Sequence, residues 1–295
     1  MIRSRQLGRA RLTGISEFYA PMHNPQVLYP NSTPAVLEAN RSWLVPDHWR
    51  PDIGRIITGV QMWALHVDDK VILIDAGYGN GKTRATPRAN NLNTQTELWL
   101  AAAGVTPETV THVVTSHLHS DHIGWNTVQK DGAWVPFFPK AQYFIPRKDY
   151  EFFAELTRSG NAKDGGSFLD SVQPVVDAGL AQLVDPGDVI ADCLVATDAP
   201  GHTVGHMIYW LKDIGEAAVF CSDIFHHPLQ IVNPTWNTAF CAIADLARQT
   251  RAEFLDRAAD ESALIMPCHF APPHCGYARR DGSGYRYEAA TQGWL

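Results

Sequence analysis

Six residues, His117-Leu118-His119-Ser120-Asp121-His122, constrain this chain more tightly than any other segment. They place three imidazoles and one carboxylate directly after the apolar run Val110–Ser116. On an extended segment, side chains two apart leave the backbone on the same side, so His117 and His119 can share one ion. Asp121 and His122 are adjacent, point different ways and can reach a second. Neutral imidazole and carboxylate are standard ligands of zinc and similar ions. The segment therefore reads as a metal loop at a strand end, not as a polar turn that happens to be rich in histidine.

Three more short motifs follow strand-like runs. Gly201-His202-Thr203-Val204-Gly205-His206 comes after the apolar pattern Val189–Thr197. Ser222-Asp223 follows Ala218–Cys221, and Pro267-Cys268-His269 follows Ala263–Met266. Upstream, Met62–Val67 and Val71–Ile74 form a hairpin pattern that ends in Asp75-Ala76-Gly77. Taken in this order, the motifs resemble the metallo-β-lactamase superfamily, whose signature is His-x-His-x-Asp-His. The resemblance runs from about residue 58 to residue 270. It implies an α/β fold, an αββα sandwich of two facing mixed sheets flanked by helices, with the metal loops at one edge.

Size and composition agree with one domain of that kind. The chain has 295 residues, 45% of them hydrophobic, enough to bury a large core. No run of 18 apolar residues suggests a membrane span, and Met1–Arg11 lacks the apolar stretch of a secretory signal. Five scattered cysteines argue for a reducing, cytoplasmic setting rather than a disulfide framework. A net charge of −7 leaves no electrostatic footprint for nucleic acid. Residues 1–58, rich in Pro, Asn and Arg, read as an N-terminal arm or loop region and a candidate homodimer contact. A capping box, Thr94-x-x-Glu97, predicts a helix that Gly104 ends. Further helices are expected over Arg147–Thr157, Phe168–Ala178 and Ala239–Ala259. Gly77-Tyr78-Gly79-Asn80-Gly81 reads as a turn, not a phosphate loop.

By resemblance, His117, His119 and His202 hold one ion, Asp121, His122 and His269 hold the other, and Asp223 bridges them. The implied cofactor is a pair of divalent ions, zinc foremost, with manganese, cobalt or iron as alternatives. Such a centre supplies a bridging hydroxide near neutral pH and polarises a carbonyl or phosphoryl oxygen, which implies hydrolysis. In the lactonase branch a tyrosine three residues after the bridging aspartate orients or protonates substrate; here that place holds His226. His226 is thus a candidate proton donor, or else a brace for the metal loop. His206 is expected to hydrogen-bond next to the metal, and Asp75 to orient a ligand histidine. Cys221 and Cys268 read as packing, and His23, His48, His66, His112 and His274 as ordinary core or surface residues.

Trp125, Trp134, Phe137, Phe138, Trp236 and Phe240 suggest an apolar mouth for a small-molecule substrate with acyl or aromatic parts. The reading is a hydrolase of uncharged esters, lactones first, in the branch that also resembles methyl-parathion hydrolase. An aryl-ester or phosphotriester hydrolase is the alternative on the same centre. A mononuclear iron persulfide dioxygenase is the alternative from another class. A non-catalytic descendant is disfavoured because no ligand position has been lost.

Overall fold

The computed structural model describes residues 2–162, 166–212 and 215–294. Its first sheet begins with β1 (Ile2–Leu7), β2 (Ala10–His23), β3 (Trp49–Arg50), β4 (Arg55–Val67), β5 (Lys70–Ile74) and β6 (His112–Val114). A separate ribbon follows, β7 (Thr127–Lys130) with β8 (Ala133–Pro136). Strands β9 (Gln142–Pro146) and β10 (Ala181–Val184) complete the first sheet in the order β1-β2-β4-β5-β6-β9-β10, with β3 paired to β4. The second sheet runs in sequence order: β11 (Val189–Ile190), β12 (Leu194–Asp198), β13 (Met207–Leu211), β14 (Ala218–Phe220), β15 (Leu264–Met266), β16 (Gly276–Asp281) and β17 (Gly284–Ala289). Both sheets mix parallel and antiparallel pairs: β5, β6, β9 and β10 are parallel neighbours, as are β14 and β15.

Strand alternation sorts the core into layers. On β4, Trp63 and Leu65 face one way and join Tyr209, Phe220 and Met266 of the second sheet in the central core. Met62 and Ala64 face the other way, toward Leu100 and Val175 on the outer helices. On the second sheet, Ile208, Trp210, Val219 and Ile265 turn outward onto Phe254, Leu255 and Ala258 of the longest helix. Burial on both faces explains why these strands read as continuous apolar runs. The result is the expected four-layer α/β sandwich.

Several local expectations are corrected. Residues 1–58 are not an arm: β1 and β2 pair through the turn Gly8-Arg9, and β2 runs beside β4. The rest of that region holds three short helices, α1 (Pro25–Leu28), α2 (Pro34–Ala39) and α3 (Arg41–Leu44). Their Leu28, Leu37 and Leu44 form a small core with Trp49 and Trp236. Helix α4 (Thr96–Ala102) starts one residue later than the capping box implies, with Gln95 as its N-cap, and Thr94 Oγ1 instead meets Asn80 Oδ1, 3.1 Å away. Its end at Gly104, φ +79°, is as expected.

Helix α5 (Arg147–Arg158) matches its expected range within a residue. The next expected helix splits into α6 (Ser167–Ser171) and α7 (Gln173–Asp177), because Pro174 restarts the turn. After the one-turn α8 (Leu229–Val232), helix α9 (Ala244–Asp260) begins five residues later than Ala239. The run Val189–Thr197 is a hairpin, turned by Ala191 and Asp192 at φ +52° and +61°. Among the described residues, no helix is long and apolar enough to cross a membrane.

Candidate metal centre

The histidine-rich segment leaves β6 at the edge where the two sheets meet. It is a loop rather than an extended strand, yet it still brings His117 Nε2 within 3.1 Å of His119 Nδ1. His202, from the loop between β12 and β13, sets its Nε2 2.9 Å from the same His119 nitrogen. Asp223 follows β14 and points its carboxylate at both groups: Oδ2 lies 3.1 Å from His202 Nε2, and Oδ1 lies 3.1 Å from His269 Nε2. His269 follows β15, and its Nε2 is also 3.7 Å from Asp121 Oδ2. His122 Nε2 is 3.4 Å from Asp223 Oδ1 and 3.7 Å from Asp121 Oδ1.

All seven side chains are therefore gathered as two groups that meet at Asp223. His117, His119, His202 and Asp223 can offer ligand atoms within 4.8 Å of one another, and so can Asp121, His122 and His269. Hydrogen bonding alone does not account for the first group, because three ring nitrogens converge where only one pair can share a proton. A tetrahedral ion with bonds of roughly 2.0–2.1 Å spaces its ligand nitrogens about 3.3 Å apart, close to what is seen. In the second group, His122 Nε2 is buried and makes no well-formed hydrogen bond to any described residue. Both observations fit divalent cations.

The electrostatics differ between the two groups: against the lowering effect of burial, the Asp223 carboxylate foremost raises His122 and His269, whereas burial wins at His119 and His202. Burial holds His119 down to about 3 and His202 to about 4, so both are neutral imidazoles with a free lone pair. Burial alone would raise the Asp223 carboxyl, but His269, His122, His226 and His202 outweigh it and keep it well below the usual carboxylate range.

Each group is braced from behind. Asp75, at the end of β5, accepts from Ser116 N at 2.8 Å and Ser116 Oγ at 2.9 Å, and lies 2.9 Å from His122 Nδ1. It orients a histidine of the cluster, as expected. Ser222 Oγ and Cys268 Sγ also donate to its Oδ2, so Cys268 is a hydrogen-bond partner of this brace and not packing alone. Cys221 is core. His206 donates from Nδ1 to Ala199 O and accepts the Asp223 N–H at Nε2, 3.3 Å away. Gly59 grips His269: its carbonyl accepts from Nδ1 at 2.7 Å and its N–H donates to the His269 carbonyl.

Sequence reasoning missed three buried groups. Asp149 on α5 accepts from Leu118 N, Thr203 Oγ1 and Gly205 N at 2.7–3.1 Å, and so ties the two histidine loops together. Glu17 accepts from Tyr78 N and Trp125 Nε1, and Arg251 on α9 donates to the carbonyls of Ile224 and Pro234. None of the three stands in a recognisable local motif.

A cavity of about 290 Å³ opens over the cluster. Its apolar wall is Phe18, Met22, Leu28, Val60 and Phe240, and its polar wall includes Tyr78, Arg88 and His23. Of the expected aromatic mouth, only Phe240 lines it. Trp125, Phe137 and Phe138 are packed against the outer helices, and Trp236 packs at a tilt against Tyr29 in the small core of the N-terminal helices. Trp134 lies beneath the Lys82 ammonium. His23, expected to be ordinary, is part of the cavity wall. His226 lies in the cavity too, with Nε2 3.2 Å from Asp223 Oδ2 and its ring stacked on His269.

In fold, the chain is similar to several solved structures. The hydrolase AbOPH of the β-lactamase superfamily aligns at a TM-score of 0.79 and 23% identity, over 97% of this chain and 96% of that one. AidC, a dizinc quorum-quenching lactonase, aligns at 0.77 and 21% identity, over 98% and 97%. A probable metal-dependent hydrolase from Staphylococcus aureus aligns at 0.73 and 18%, over 97% and 99%. No curated protein matches the sequence. The sequence profile of the metallo-beta-lactamase superfamily matches residues 57–269, from the strand that grips His269 through His269 itself, and the chain belongs to that superfamily.

Proposed function

We propose that this protein is a dinuclear metal hydrolase that opens uncharged esters, lactones first. The observation that carries the reading is the shared carboxylate of Asp223, with His117, His119 and His202 on one side and Asp121, His122 and His269 on the other. His117, His119 and His202 would hold one ion, Asp121, His122 and His269 the other, and Asp223 both; zinc suits this set of nitrogens and carboxylates. When bound, a pair of such ions activates water near neutral pH and polarises a carbonyl or phosphoryl oxygen.

The chain's own residues do the rest. Asp75 fixes the His122 ring, so that Nε2 faces the centre. His206 and Asp149 hold the backbone of Asp223 and the two histidine loops, so the donor atoms are in position before any substrate arrives. The apolar wall of Phe18, Met22, Leu28, Val60 and Phe240 suits an acyl or aromatic portion and excludes water around it. His226 lines the same cavity with Nε2 beside Asp223, which supports a hydrogen bond to the departing oxygen as its role. Likeness in fold to a dizinc lactonase supports lactones as the first substrates to try.

The test is metal content by mass spectrometry, run beside turnover of a lactone, an aryl ester and a phosphotriester. Two ions per chain, with lactone opening lost to a chelator, is the expected result. Turnover of aryl esters or phosphotriesters alone would move the substrate assignment but keep the centre. One iron per chain with oxygen uptake on a persulfide and no hydrolysis would overturn the reading.

A further inference from the structure

Tyr78 sits in the turn after β5, and its position is built rather than incidental. Its N–H donates to Glu17 Oε2 at 2.7 Å, and its ring stacks on Phe18 at 6.1 Å with planes 7° apart. Behind it, a Cβ on Gly124 would lie 1.9 Å from the Tyr78 carbonyl carbon, so the turn is pressed against the end of the metal loop with no room to spare. The neighbouring Gly77 and Gly79 take φ +52° and +75°, backbone that lets a single large side chain stand out between them.

That side chain lines the cavity above the cluster, together with Asp121, His119, His202 and Asp223. The ring is half-buried, yet its hydroxyl forms no hydrogen bond to any described residue. Everything about Tyr78 is anchored except the one group that faces the site. A phenol hydroxyl that lines the cavity without a described protein partner is free to meet a ligand there. Burial first, and then the Asp121 carboxylate, hold the phenol above its ordinary range. Arg88 is close enough to act on it electrostatically, and no carboxylate among the described residues pairs with that guanidinium.

We propose that Tyr78 is a substrate-contacting catalytic residue, whose hydroxyl donates a hydrogen bond to the reacting carbonyl oxygen of the ester. This rests on the ester-hydrolase reading above. Charge builds on that oxygen as the carbonyl is attacked, so a preplaced donor gains strength in the transition state. The loss should then fall on kcat more than on KM.

The experiment is Tyr78→Phe in the fully metal-loaded protein. The variant keeps the ring, the stacking on Phe18 and the backbone bond to Glu17, and removes only an oxygen without a protein partner. The substrates are γ-nonanoic lactone and phenyl acetate, with metal content and melting temperature measured on the same samples. The expected result is a fall of about 10–100-fold in kcat, with two ions retained and the melting temperature unchanged. Unchanged rates, a rise in KM alone, or a loss that tracks released metal or a lower melting temperature would each overturn the assignment. If the wild type opens neither substrate, the ester-hydrolase reading falls and takes Tyr78 with it. If the wild type is active and Tyr78→Phe equals it, only Tyr78 falls.

Discussion

The Asp75 carboxylate stands 2.9 Å from His122 Nδ1 and thereby decides which nitrogen of that ring faces the cluster. With Nδ1 donating, Nε2 is left as a lone-pair ligand. Asp75→Asn would turn an amide N–H toward one of the donors that now converge there. We expect metal affinity at the second position to fall roughly 10–100-fold while the first position stays filled. Titration of the metal-free protein with zinc, followed by calorimetry, checks this; two unaltered binding events would argue against the brace.

Asp223 is within 3.2 Å of His202, His226 and His269 at once. Asp223→Ala should reduce metal content to about one ion or fewer and abolish turnover. Two retained ions with a near-normal rate would refute the shared role.

His226→Phe keeps the stacked contact with His269 but removes the ring nitrogens. Esters with poor leaving groups should slow far more than activated aryl esters, because only the former need help at the departing oxygen. Equal losses on both classes would make His226 a structural support for the Asp223 loop.

Burial raises the Asp149 carboxyl to about 6, from 3.8 when exposed, against the lowering effect of its three hydrogen bonds. The folded state therefore binds this proton more tightly than the unfolded chain. Its contribution to stability is full below 3.8 and is lost as pH rises through about 6. Relative to Asp149→Asn, the wild type should lose stability between those limits. Urea midpoints of both proteins at pH 4, 5 and 6.5 measure the difference; a gap independent of pH would contradict the sign.

Gly124→Ala places a Cβ 1.9 Å from the Tyr78 carbonyl carbon and 2.5 Å from the Gly79 nitrogen. Backbone cannot yield there without moving the Tyr78 turn. The expected cost is about 3 kcal/mol or more, with activity falling alongside. A melting temperature equal to that of the wild type would show that the contact is loose.

The candidate metal ligands were legible in the sequence because each lies in the loop that directly follows a strand, three to eight residues past its end, where local pattern and chemistry coincide. His117 through His122, His202, Asp223 and His269 all announce themselves that way. Their supports do not. Asp149 reaches Gly205 across 56 residues and Glu17 reaches Trp125 across 108, distances that no local pattern carries. The first two strands were missed for a different reason. β1 is an edge strand with alternating charged residues, and the apolar residues of β2 pair with β4 some fifty residues away. The expected aromatic mouth failed because nearness to the motif in sequence says little about facing: Trp125 leaves the metal loop toward Glu17, away from the cavity.

Each metal group draws side chains from both sheets. His117, His119, Asp121 and His122 hang from the end of β6, whereas His202, Asp223 and His269 hang from the ends of β12, β14 and β15. Around the apolar slab between the sheets, the layers are already tied at this edge by the Gly59 and Gln61 N–H groups on the His269 and Cys268 carbonyls and by the Met207 N–H on the Ser116 carbonyl. Cations bound by these residues would draw ligands from both layers and add rivets at that same edge. The two halves of the sandwich would then be held in register by the same atoms that perform the chemistry, and stripping the metal would loosen the joint between the layers before it disturbed either layer itself.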